Sequence, residues 1–383
     1  MRVALIRQRY NPFGGAERII ERAIEALERE GTEITLITRA WESGGNRRAL
    51  VVNPPYIGRL WREISFAKGA RAVLAKISFD LVQSHERIPG CDVYRAGDGV
   101  HRQWLDNRLE RAPFFERVGI RINPYHRYVC AAERTMFEHP GLRAVICNSN
   151  MVALEIGARF SIRPEKLHVI YNGVDLEHFH PARRHSLREA ARKQFGCRSG
   201  DTVFSFVGSG FARKGLEATI SALAATGRED FRLIVAGKDR ETARFQTQAR
   251  RAGIAGRVTF LGGIEDVRPV YAASDCFILP TRYDPFPNAA LEALSMGVPI
   301  IVSNRCGAAE LIEAGVNGWV IESDNVPSLA KTITEASHLS MNGVLGKGAR
   351  QTAEGFGLEK MADRMTDLYK RLMRTRGEAA IAG

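Results

Sequence analysis

No stretch of this sequence stays apolar for long. A membrane-crossing helix needs roughly 20 consecutive apolar residues, and no run approaches that length. Met1-Arg-Val-Ala-Leu-Ile reads straight into a strand, so a secretory leader is not expected either. Cysteine is sparse: six in 383 residues, scattered, without C-x-x-C or other metal-ligand spacing. That argues against a disulfide scaffold and a structural zinc site; the thiols are expected to be reduced, with Cys147 and Cys276 inside apolar strands. No carboxylate pair is spaced to hold a metal, and none is expected. Acidic residues fall short of basic ones, 43 against 55, for a net charge of +12. Residues 1–170 hold 27 Lys/Arg against 19 Asp/Glu, so most of the excess lies there. A phosphorylated ligand, an anionic membrane or nucleic acid would suit such a balance, but no nucleic-acid motif is present. Short-period repeats and low-complexity tracts are also missing.

What the chain does have is two rounds of alternating strands and helices, in a length that suits two domains. Strand-like runs fall at Arg2–Arg7, Glu33–Thr38, Ala49–Asn53, Leu81–Ser84 and Arg143–Asn148, with helical patterns at Ile64–Lys76 and Ala131–Phe137. Leu167–Asp175 reads as the end of this half, and the proline-containing polar stretch 176–184 as a linker. The alternation restarts with strands at Thr202–Val207, Arg232–Ala236, Val258–Leu261, Cys276–Leu279, Pro299–Ser303 and Trp319–Ile321. A final helix over Leu358–Met373 follows the glycines 355 and 357. Each half predicts a mostly parallel, doubly wound α/β sheet: residues 1–175, then 176–355, with 356–383 packing back on the first.

In open sheets of this kind ligands bind at the carboxyl ends of the strands, and four loops there draw attention. Tyr283-Asp-Pro-Phe-Pro-Asn-Ala-Ala-Leu-Glu292 follows a buried strand, and its prolines delay the next helix until Asn288. It sets Asp284 before a helix start, whose free N–H groups at Asn288 and Ala289 suit an anion. Glu292 lies a turn further on, fit to accept hydrogen bonds from a ribose diol. Gly208-Ser-Gly-Phe-Ala-Arg-Lys-Gly215 places Arg213 and Lys214 after a core strand, a pair suited to a diphosphate. Gly14-Gly15, after the first strand, lets backbone approach a ligand or simply makes a tight turn. Gly90–Gly99 carries Asp98, with His85-Glu86 just before it, and these are either ligand-facing or structural. Ser149 or Asn150 serves as a helix N-cap or as a ligand contact. Finally, residues 101–122 mix five arginines with Trp104, Phe114, Phe115, Val118 and Ile120. That composition fits an anionic membrane surface or ordinary packing of a long excursion.

Taken in order, Gly14-Gly15, Ile170-Tyr-Asn-Gly-Val-Asp175, Arg213-Lys214, Phe260-Leu-Gly262 and Asp284-x7-Glu292 resemble the GT-B glycosyltransferases of family 4. The likeness spans nearly the whole chain. It implies two Rossmann-like domains facing across a cleft, an acceptor-binding first half and a second half that binds a nucleotide sugar. It further implies retaining, metal-independent transfer with no cofactor beyond the donor. Asn11-Pro-Phe-Gly-Gly15, Pro89-Gly-Cys-Asp-Val-Tyr94, Arg127-Tyr128 and Ala132-Glu-Arg-Thr-Met-Phe-Glu138 are similar to the lipopolysaccharide-core glucosyltransferases that glucosylate inner-core heptose. Membership there implies UDP-glucose as donor and a lipid-linked oligosaccharide acceptor. It also implies a cytoplasmic protein peripheral to the inner face of the cytoplasmic membrane, held by residues 101–122. Two positions depart from the pattern: the first acid of the signature is Asp284 rather than glutamate, and position 19 is Ile rather than acidic.

On this reading Arg213, Lys214 and the helix start at Asn288 stabilise the departing diphosphate. Asp284 positions the sugar, Glu292 the ribose, and Gly14, Gly15, Gly208 and Ala289 line the donor. Asp98 is the candidate for orienting the acceptor, and no carboxylate nucleophile is evident. Other readings are the same chemistry with GDP-mannose or a UDP-N-acetylhexosamine for a polysaccharide or glycolipid, a sugar-nucleotide epimerase, and a non-enzymatic polyanion-binding protein. Acidic groups at the ligand site oppose the last of these.

Overall fold

The computed structural model describes residues 1–10, 24–25, 27–29, 31–41, 48–339 and 344–381. They form two compact units, Met1–Asn172 with Leu358–Gly383, and Gly173–Gly357. The sequence places these boundaries at 175/176 and 355/356, two or three residues away.

In the first unit, strands β1 (Arg2–Ile6), β2 (Glu33–Thr38) and β3 (Ala49–Val51) precede helix α1 (Gly58–Leu74). Strands β4 (Leu81–Ser84) and β5 (Val93–Ala96) follow, then helices α2 (His101–Leu109), α3 (Phe114–Ile122) and α4 (Pro124–Phe137). Strand β6 (Ala144–Cys147), helix α5 (Asn150–Arg159) and strand β7 (Leu167–Val169) complete this part of the chain. The sheet runs β3-β2-β1-β4-β5-β6-β7 with every pairing parallel. The order reverses between β1 and β4, the switch point of a doubly wound fold. Because side chains alternate across a strand, β1 feeds both faces: Ala4 and Ile6 pack with Phe66 and Ala70 of α1, and Val3 and Leu5 pack on the other side. Ser149 accepts a hydrogen bond from the Val152 N–H, so the serine of Asn148-Ser-Asn150 is the N-cap of α5.

The second unit opens with helix α6 (Pro181–Gln194), then strand β8 (Thr202–Val207), a one-turn helix at Phe211–Lys214 and helix α7 (Leu216–Ala225). Next come β9 (Phe231–Ala236), α8 (Thr242–Arg251), β10 (Val258–Gly262), α9 (Arg268–Ala273), β11 (Cys276–Leu279) and α10 (Asn288–Ser295). Strands β12 (Ile300–Ser303) and β13 (Gly318–Ile321) and helices α11 (Val326–Leu339) and α12 (Val344–Glu354) finish it. The sheet order is β10-β9-β8-β11-β12-β13, again all parallel, with the switch point between β8 and β11. The stretch 176–184, expected as a linker, belongs to the second unit, and its last four residues are helical. Pro181 does not break the chain but starts α6, in the position where a missing N–H costs nothing.

The last helix, α13 (Leu358–Ile381), belongs to the first unit. Its Met361, Met365, Leu368 and Tyr369 join Val3, Leu5, Val93 and Ile146 in one buried cluster. The Tyr369 hydroxyl donates to Gln83, and the buried Arg95 guanidinium donates to Asn172 at 2.8 Å.

Candidate active site

The site grows from the carboxyl ends of β8 and β11, on either side of the switch in the second sheet. Beyond β8, Gly208 takes φ +142°, and a Cβ there would stand 2.7 Å from the Lys214 Cε. The missing side chain lets the lysine stem fold back over the strand end. Gly215 has φ +83°, and a Cβ would come within 2.2 Å of the Pro280 carbonyl oxygen. Only glycine brings the first loop this close to the loop after β11. Hydrogen bonds then join the two loops: the Arg282 N–H and the Thr281 hydroxyl both donate to the Arg213 carbonyl, at 2.8 and 3.0 Å. On its far side the 280–287 loop is tied to the end of β12. The Asp284 N–H donates to the Arg305 carbonyl at 3.1 Å, and the Gly307 N–H donates to the Asp284 carbonyl at 2.9 Å.

This framework brings together residues predicted from two separate motifs. Lys214 Nζ lies 2.9 Å from Asp284 Oδ2, and Arg213 Nη1 lies 3.3 Å from the same oxygen. Arg213 also donates to the Tyr283 carbonyl at 2.6 Å. Lys214 and Asp284 are buried, at 8% and 7% exposure, whereas Arg213 is only part-buried. Burial pushes the Asp284 carboxyl up, but the two cations and the hydrogen bonds they donate outweigh it, leaving the carboxyl below its usual range. One carboxylate thus faces two cations, and the local charge stays positive. α10 begins four residues later with Asn288 and Ala289 half-buried in its first turn, and Pro287 at its N-cap makes no side-chain cap. One turn on, Glu292 is half-buried and accepts a hydrogen bond from the Tyr271 hydroxyl at 2.8 Å. A partly buried cation pair, a carboxylate and a helix start can bind a diphosphate and hydrogen-bond a polyol attached to it.

The remaining predicted residues lie in the first unit. Gly14 and Gly15 fall outside the described residues. Asp98 is exposed in the turn after β5. His85 is buried beyond β4, its Nε2 3.1 Å from Gln83 Nε2. Burial, then Arg7 and Arg95, hold its ring neutral well below the ordinary range. Its neighbour Glu86 accepts the Gln8 N–H at 2.8 Å; burial, despite that bond, and then the charge of Asp98 push its carboxyl up. Nothing in the sequence singled out Glu133, which is fully buried. It accepts from Arg87 Nε at 3.1 Å and from the His101 N–H at 2.9 Å. Its only trace in the sequence is an acid on the apolar side of a helix.

Residues 101–122 are partly packed and partly exposed. Leu105, Ala112 and Ile120 make a small buried cluster. Phe114, Phe115, Val118 and Ile122 of α3 stay exposed, Phe115 by 87%. No described helix is long and apolar enough to cross a membrane.

Comparison with known proteins agrees with this architecture. Residues 13–178 match the family described as Glycosyltransferase Family 4, and residues 188–352 match Glycosyl transferases group 1. The lipopolysaccharide glucosyltransferase WaaG of Escherichia coli K12 is 25% identical over 326 residues, 84% of this chain and 85% of that protein. An Escherichia coli UDP-Gal:alpha-D-GlcNAc-diphosphoundecaprenol alpha-1,3-galactosyltransferase is 26% identical, covering 93% and 94%. A crystal structure of WaaG superposes with a TM-score of 0.81 at 24% identity over 96% of this chain and 99% of that one. Anabaena Alr3699/HepE in complex with UDP and glucose gives 0.73 at 21% identity, covering 97% and 99%. A family 4 domain followed by a group 1 domain, on two Rossmann-like sheets, makes this chain a GT-B glycosyltransferase.

Proposed function

We propose that the enzyme moves a hexose, with glucose the first choice, from a UDP-sugar to an inner-core heptose of lipopolysaccharide, with retention and without a metal. The observation that carries the donor half is the contact of Lys214 and Arg213 with Asp284 at the switch point of the second sheet. As the glycosidic bond to phosphate breaks, negative charge grows on the diphosphate. A fixed ammonium and guanidinium, with the start of α10, stabilise that charge without reorganising. Asp284 gives up part of its hold on the cations to the phosphates and accepts from sugar hydroxyls, while Glu292 takes the ribose. The first unit supplies the acceptor side, with Asp98 orienting the nucleophilic hydroxyl and Gly14-Gly15 approaching the donor. HepE, a protein of the same fold, is described in complex with UDP and with UDP-glucose, which favours a uridine donor.

The acceptor is lipid-linked, and α3 meets the cytoplasmic leaflet of the membrane through Phe114, Phe115, Val118 and Ile122, with Arg117 and Arg121 against anionic headgroups. A second reading keeps the chemistry and changes the sugar. Asp284 is one methylene shorter than glutamate, and the galactosyltransferase relative covers more of the chain than WaaG does. A panel of UDP- and GDP-sugars read by thermal shift, then by product analysis, separates the two, because a donor bound only by the folded state raises the melting temperature. Lys214→Ala is expected to lower kcat by a factor of about 100 or more while keeping the native fold, and chelator should leave wild-type activity unchanged. Near-normal turnover in that variant refutes the phosphate role, and loss of activity with chelator refutes metal independence.

A further inference from the structure

The second unit holds a basic cavity of about 810 Å³ that the transfer reaction does not use. It opens at the amino-terminal edge of the sheet. α6 contributes Arg184, His185 and Arg188 to its lining, and α12 contributes Lys347, Arg350 and Glu354, with Asp275 and Gly297 between them. The charges there do not balance. Arg184, Arg188 and Arg192 recur every fourth residue on one face of α6. Arg188 and Arg192 share the single carboxylate of Asp275, and Arg350 pairs with Glu354. Arg184 meets only neutral acceptors, the carbonyls of Gly297 and Ser274 at 3.0 and 2.8 Å, and its Nε–H is buried with no acceptor. Burial, then the neighbouring Arg188, push this guanidinium down to about 10. Lys347 and His185 are exposed on the cavity wall, with no partner among the described residues. An excess of like charge around a half-buried guanidinium is costly unless an anion offsets it.

We infer that this cavity is a second phosphate site, taking a phosphorylated sugar through Arg184, Lys347 and His185. A tetrahedral oxyanion has enough lone pairs to accept from a guanidinium, an ammonium and an imidazole at once. The volume exceeds a phosphate group several-fold, so the phosphate carries a larger body, which lies along Pro181, Gly297 and Gly346. Asp275 directly precedes β11, and Gly297 follows α10 by two residues. An occupant therefore touches both ends of the segment that carries Asp284 and Glu292.

The test is calorimetric titration of the full chain with a hexose 1-phosphate and with inorganic phosphate. The comparison is between wild type, Lys214→Ala and the double variant His185→Ala/Lys347→Ala. Both residues of the double variant are exposed, so its melting temperature should match wild type, and UDP affinity should be unchanged. Phosphate ligands should bind wild type and Lys214→Ala alike and bind the double variant at least about tenfold more weakly, with Lys347→Arg alone restoring part of the loss. The site does not exist if neither probe binds wild type, if the double variant binds as wild type does, or if binding disappears in Lys214→Ala. The UDP titration reports separately on the donor site, so the two readings can fail independently.

Discussion

Asp284 is where burial and charge oppose each other most directly in the second unit. Burial alone would favour its neutral form, yet Lys214 and Arg213 keep the carboxyl ionised. Its folded value lies below its unfolded one, so the pair contributes stability above pH ~4 and loses it as pH falls through the folded value. Gly208 is the quieter partner. A methyl group there meets the Lys214 stem, and the positive φ strains any side chain. Gly208→Ala is expected to cost about 1–3 kcal/mol of stability and to displace the ammonium from Asp284. Activity should fall nearly as far as in Lys214→Ala, even though residue 208 bears no charge. A variant with wild-type kcat would show that the lysine position does not matter. The residues at this site were legible from their order along the chain, because glycine, basic pair and acid each follow a strand end. The bonds of Thr281 and Arg282 that lock the two loops together left no trace, since they run to a backbone carbonyl that any residue could offer.

Among the elements, α3 departs most from what packing requires. Its Phe114, Phe115, Val118 and Ile122 are exposed, while Ile120 faces inward. The mixed arginine and aromatic composition was legible, but the choice between a membrane surface and ordinary packing was not. That depends on which face the neighbouring helices cover, a tertiary matter. Phe114→Ser/Phe115→Ser should leave melting temperature and turnover on a soluble acceptor fragment intact, and should weaken cosedimentation with anionic vesicles by about tenfold or more. Equal binding by the variant would remove α3 from the membrane. The misread linker has a different cause. α6 is polar almost all round and gives no apolar stripe to read; it is held by arginines donating to the carbonyls at the end of α9. Bonds of that kind do not show in a hydrophobic period.

Over the molecule as a whole, depressed histidines gather in the first unit. His85, His101, His126 and His168 all titrate below their ordinary range, chiefly through burial, with His101 near 3. The unfolded chain takes up a proton at each of them near pH 6.5 and the folded unit does not. Its stability therefore falls as pH drops below about 6.5, toward the folded values. Hydrogen exchange followed from pH 7.5 to 5 should show protection lost first in residues 48–172, and His85→Gln should flatten the trend. Earlier loss in residues 202–339 would contradict this. Both doubly wound sheets were legible from alternating patterns, since buried parallel strands read as short apolar runs. The membership of α13 in the first unit was expected, though an amphipathic helix by itself does not declare which unit it covers.

That membership bears on synthesis. A ribosome releases residues 173–357 as one uninterrupted stretch, whereas the first unit waits for a helix translated after all of them. Until Met361, Met365, Leu368 and Tyr369 emerge, the buried cluster around Val3 and Leu5 is incomplete. The half of the protein made first therefore finishes folding last, and a released chain ending at Gly357 should be cut by protease within its opening 172 residues while the later segment resists.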